Sequence, residues 1–171
     1  MKGTVMGNDK IRLRRYEDDL NVGGLGVVIL GAWDVLKVIS HIIMTAKNEI
    51  DLGEFADDER SIAIAVIIGI IAVFTLLSLL VFKIHFYIGM NASRAARGEP
   101  YKKGYYIGAI ILLVLSAIGI FSYFDQLKDL ENIEVTVASL IVDLTMVYVL
   151  WIVVASTGKI RKLKKLLQNQ E

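Results

Sequence analysis

Hydrophobic residues in this chain fall into long unbroken blocks, and polar residues gather between them. Four blocks stand out: Leu20 to Thr45, Ile62 to about Phe82, Tyr105 to Phe124, and Ile133 to about Ser156. The second reads on as helix through residue 90 toward Ala96. None alternates apolar and polar positions as a half-buried strand does. A helix needs roughly 20 residues to cover ~30 Å of hydrocarbon, and every block reaches that length. Lipid leaves backbone polar groups no partner outside helices or closed barrels, and blocks without alternation do not build a barrel. The predicted fold class is therefore an all-α integral membrane protein. It has four transmembrane helices near residues 20–45, 62–90, 105–124 and 133–156, in a single membrane domain over 1–171. Short connections make successive helices antiparallel neighbours in a bundle.

The polar intervals set the orientation. Lys2, Lys10, Arg12, Arg14 and Arg15 precede the first block. Arg94, Arg97, Lys102 and Lys103 lie between the second and third, and Lys159, Arg161, Lys162, Lys164 and Lys165 follow the fourth. The other two intervals are acidic: Glu49, Asp51, Glu54, Asp57, Asp58 and Glu59 in one, Asp125, Asp129, Glu131 and Glu134 in the other. Basic residues stay on the cytoplasmic side, so both termini are expected inside. Tyr87, Tyr105 and Tyr106 suit an inner aromatic belt, and Tyr123 an outer one. The first block is too long for a signal-peptide core and follows nineteen mostly polar residues, so it reads as an anchor. The expected location is the cell (plasma) membrane as a multi-pass protein. Compactness and the lack of a signal peptide point to a bacterial source.

Composition agrees. Of the 171 residues, 55% are hydrophobic, against 45–50% or so for a soluble domain. Net charge is +1, which implies no nucleic-acid partner. The chain has no cysteine, so disulfides, thiolate chemistry and cysteine-based metal sites are excluded. Two histidines on opposite sides make no metal site, and no cofactor is expected. No Gly-rich phosphate loop, HExxH or GxSxG is present, so nothing reads as an enzyme. The loop KNEIDLGEFADDERS lacks EF-hand spacing, and its Asp57, Asp58 and Ser61 suit a helix N-terminus.

The stretch GAWDVLKVISH carries ionisable residues inside the first block. On a helical wheel with Asp34 at zero, Lys37 falls near about −60°, His41 near about −20° and Thr45 near about +20°. Gly24, Val27 and Gly31 share that face, giving it a small, apolar inner half and a polar outer half. In the fourth block Asp143 shares a face with Ser139 and Thr136, and Met146, Val147 and Leu150 continue it inward. Ser116 lies toward the outside of the third. Lys37 and Asp143 sit at similar depth, so their contact is expected if the first and fourth spans are neighbours. Two readings follow. Asp34, Lys37, His41 and Asp143 form a nearly self-neutralising set that fixes helix register. Alternatively they form an outward-facing polar vestibule, with Thr45, Thr136, Ser139 and Ser116 lining it, through which transport is coupled to protonation.

Small residues recur at close-packing spacing: Ala65 and Gly69, Gly104 and Gly108, Gly24 and Gly31. Gly98 and Pro100 should end the second helix. Asn91-Ala92-Ser93 matches a glycosylation sequon but falls on the cytoplasmic side. The tail KIRKLKKLLQNQE puts Ile160, Leu163, Leu166 and Leu167 on one face of a basic amphipathic helix, or else extends the fourth span. The basic intervals suit anionic lipid headgroups. The expected function is a structural or accessory component of a membrane complex, assembling with itself or with a larger membrane protein. The alternative is a small oligomeric ion- or proton-coupled transporter or channel.

Overall fold

The computed structural model describes residues 2–49, 57–127 and 133–169, and every element in them is helical. In chain order these are α1 (Lys2–Glu49), α2 (Asp57–Ala96), α3 (Gly104–Ile120), the single turn α4 (Tyr123–Gln126) and α5 (Ile133–Gln168). Three of the helices contain segments long and apolar enough to cross a membrane: Gly7–Ser40, Ile64–Ala96 and Thr136–Gln168. α3 is a shorter apolar helix of 17 residues. The apolar block 105–124 is thus not one continuous helix. It breaks at Phe121–Ser122, where Ser122 Oγ donates to Gly119 O at 2.7 Å and closes the turn from a side chain.

The helices overrun the apolar blocks. α1 has 48 residues and begins far upstream of Leu20, because Arg, Leu, Glu and Lys hold helix as well in water as apolar residues do in lipid. α5 runs unbroken into the basic tail, so the tail continues the fourth block's helix. α2 ends where Gly98 adopts φ +73°, a conformation L side chains rarely take, and Glu99 N–H caps back to Arg94 O at 3.0 Å. Pro100 then prevents resumption.

The chain forms two compact units. Unit 1 comprises Met1–Leu30 and Phe86–Glu171, and unit 2 comprises Gly31–His85. Unit 1 holds a core of Leu20, Val27, Ile88, Ala92, Tyr105, Ala109, Met146, Leu150 and Val153, all nearly or wholly buried. On α5 the buried positions Met146, Leu150, Val153, Thr157 and Ile160 recur every three or four residues, the stripe of an amphipathic helix. α1 reaches α2 and α5 through glycines. A Cβ on Gly24 would lie 2.6 Å from Gly89 O, so the two backbones touch there. A Cβ on Gly23 or Gly26 would meet Val153 or Val149 at 3.1 or 3.0 Å.

Unit 2 contains α1 from Gly31 onward and α2 up to His85. Its α2 segment exposes apolar side chains, including Ile64, Val66, Ile68, Val73, Phe74 and Leu76, on all but one face, the stripe from Ile67 through Ile71, Thr75 and Ser78 to Phe82 and His85. Gly69 has no atom within 4 Å of where a Cβ would stand.

Candidate functional site

The polar residues inside the apolar segments fall into three groups. In unit 2, Asp34 on α1 faces His85 on α2. The imidazole Nε2 lies 3.7 Å from Asp34 Oδ2. His85 Nδ1 lies 2.9 Å from Val81 O. A carbonyl oxygen only accepts, so Nδ1 carries a hydrogen and Nε2 is the atom left to exchange a proton beside the carboxylate. The His85 side chain is 3% exposed and Asp34's is 30% exposed. Gly31 makes the approach possible, since a Cβ there would sit 2.5 Å from His85 Cβ. Lys37 lies one turn further along α1 and is half-buried. His41 and Thr45 lie within α1, but outside the residues whose side chains are described.

In unit 1, Tyr123 of α4 donates its hydroxyl to Asp143 Oδ2 on α5. A hydroxyl donating to a carboxylate is a charge-assisted bond, stronger than a neutral one. Tyr123 is therefore buried at 7% exposure rather than turned outward as a belt residue. Thr136 is buried beside this end of α5, and Ser139 and Ser116 are half-buried. The polar face expected on the fourth block thus turns inward. Each of Asp34, Lys37 and Asp143 is engaged by a partner. Lys37 belongs to unit 2 and Asp143 to unit 1.

The third group lies at the end of unit 1 that carries the basic intervals. Ser93, fully buried, donates to Asn21 Oδ1 at 2.5 Å and accepts from an Arg97 guanidinium N–H at 2.9 Å. Arg97 Nε also donates to Glu99 at 2.7 Å. That hydrogen bond, above all, holds the Glu99 carboxyl below its ordinary range and raises Arg97. Asn91 donates to Tyr87 O at 2.7 Å and accepts from Lys102 N–H at 2.8 Å. The sequon asparagine is thus a buried clamp for the α2–α3 connection. Thr157 Oγ1 donates to Val153 O at 2.7 Å, which uses its one hydrogen, so Tyr105 donates to Thr157 across 3.1 Å.

The remaining basic residues are distributed over this end. Lys164 pairs with Glu17 at 2.9 Å. Lys159 lies 4.8 Å from the Tyr16 ring centre, and Arg161 lies 4.4 Å from that of Tyr106. Arg94, Lys102, Lys103, Lys162 and Lys165 are exposed.

Periodicity and charge located Asp34, Lys37 and Asp143. They put Tyr123 only at the outer end of the third block, not against Asp143, and they did not locate His85 beside Asp34. Gly31, on the Asp34 face, carried a usable signal: a missing side chain leaves room for a large one opposite. Among the described residues, no cluster of three or more His, Asp or Glu is placed to hold a metal ion. No family model, no curated protein and no solved structure matches this chain.

Proposed function

We propose that the chain is a four-span protein of the cell membrane, with α3 as the third crossing and both termini cytoplasmic. In this reading it serves as a structural or accessory component that assembles with further copies of itself or with a larger membrane protein. The carrying observation is the first half of α2. Only the stripe Ile67, Ile71, Thr75, Ser78, Phe82 and His85 is drawn toward its own chain, and the remaining faces stay apolar and exposed. Ala65 and Gly69 offer a small, open strip on which another helix can seat closely. The engaged state of Asp34, Lys37 and Asp143 supports the register role.

The test uses the absence of native thiols. Gly69→Cys in native membranes should yield a disulfide-linked dimer on mild oxidation, and light scattering of the purified protein should give more than one chain per particle. A monomer that co-purifies with no other membrane protein and does not cross-link would overturn the assembly role.

The Asp34–His85 pair favours a second reading. A buried imidazole with one nitrogen fixed and the other facing a carboxylate is equipped to bind and release a proton. On that reading, reconstituted protein conducts a pH-linked ion flux. Asp34→Asn or Asp143→Asn abolishes it, and absence of flux from the wild-type protein eliminates the reading.

A further inference from the structure

Unit 1 contains a cavity of about 740 Å³ at the end of α5, between that helix, the start of α3 and Leu20 of α1. Lys103, Arg161, Lys164 and Lys165 line it, and no acidic residue does. A second cavity of about 360 Å³ is lined by Arg12, Arg15 and Lys159 but also by Asp19, which weakens it for an anion. We propose that the larger cavity binds the phosphate group of an anionic glycerophospholipid headgroup. The inference rests on the membrane placement given above, with this end at the cytoplasmic surface, and not on the assembly role.

Four observations carry it. Its cations come from the start of α3 and from α5 and converge on one volume, where the two non-bridging phosphate oxygens can be shared among them. Arg161 is braced before any ligand arrives by the Tyr106 ring, while Lys164 is already shared with Glu17, which leaves Lys103, Arg161 and Lys165 as the main anion ligands. Bracing lowers the ordering cost of binding. The wall itself is fixed, because Tyr105 is bonded to Thr157 and meets Tyr101 edge to face at 5.8 Å. Finally, Ile107 lines the cavity while 63% exposed, so the cavity opens beside the apolar surface of α3. A headgroup can enter there with its acyl chains still in hydrocarbon. The α3 N-terminus, with no acidic residue in its first turn and no side-chain cap, adds a favourable dipole without making the site.

The experiment titrates short-chain phosphatidylglycerol into the purified full chain in neutral detergent and follows thermal stability. Phosphatidylglycerol should raise the unfolding temperature. Removing two cavity charges, Arg161→Gln with Lys165→Gln, should weaken the apparent affinity about thirtyfold. Removing two charges outside the cavity, Arg94→Gln with Lys162→Gln, should leave it nearly unchanged. Lys165→Gln alone, at an exposed position, serves if the double variant folds poorly. Glycerol phosphate binding as tightly as the lipid would support the phosphate site and assign its source to soluble esters. Equal loss in both double variants, or no stabilisation by either probe, overturns the proposal. The membrane placement is read separately by labelling Gln168→Cys in intact cells. Labelling from outside overturns that placement and leaves the detergent titration standing.

Discussion

Asp143 accepts a hydrogen bond from the Tyr123 phenol, whereas Asp34 faces the His85 imidazole at 3.7 Å. Tyr123→Phe removes the hydroxyl and leaves a partly buried carboxylate short of one charge-assisted bond. The expected loss is about 1.5–3 kcal/mol in detergent unfolding. Asp143→Asn added to Tyr123→Phe should cost much less than Asp143→Asn alone, because the two groups act as a unit. At the exposed Arg97–Glu99 pair the sign is set by the lowered Glu99 carboxyl. Its bond to Arg97 contributes above the ordinary Glu range and is lost as pH falls through the depressed value. A carboxyl-resolved NMR titration should find Glu99 titrating below ordinary glutamates, and Arg97→Gln should restore the usual value. Charges inside apolar runs announce themselves in sequence, so Asp34, Lys37 and Asp143 were legible. Their partners were not. Tyr123 looks like any interfacial tyrosine until α4 turns it back onto α5, and His85 acquires meaning only opposite Gly31.

Helical elements were legible wherever hydrophobicity runs unbroken, and their ends were less so. Nothing in the charge pattern says that α1 should begin near Lys2, since solvated helix and solvated loop share a composition. Phe121–Ser122 interrupts the third block although every neighbour is apolar, because a serine side chain closes the turn from within. Small-residue spacing marked Gly24 and Gly69 alike, yet they meet opposite environments. Gly89→Ala, opposite Gly24, should destabilise by about 1–3 kcal/mol, since the added methyl meets backbone that has no rotamer to change. Gly69→Ala should stabilise by up to about 1 kcal/mol, through helix propensity alone. Thermal unfolding of the two variants side by side decides this. If both are neutral, the α1–α2 approach at Gly24 is not a fixed contact.

Over the whole molecule, the proposed topology rests on the alternation of basic and acidic intervals. The lack of cysteine makes each engineered thiol the only one in the chain. Single cysteines at Lys10, Arg97 and Asn169 should be shielded from an impermeant reagent in intact cells, and one at Asp57 should be labelled. Any other pattern reverses or breaks the proposed orientation. The length of α3 has a separate consequence. Its 17 residues rise about 25 Å, against hydrocarbon of ~30 Å. In the proposed four-span arrangement it falls short by roughly one helical turn, a mismatch met by local thinning of the bilayer at fractions of a kcal/mol for each ångström. The four-span reading proposed above therefore implies a preference for thin membranes, written in one short helix. Reconstituted into lipids of graded acyl length, the protein should unfold at the highest temperature where the tails are shorter than those of a typical bilayer. The surrounding lipid becomes in effect a selected component of the protein's environment, sorted by tail length.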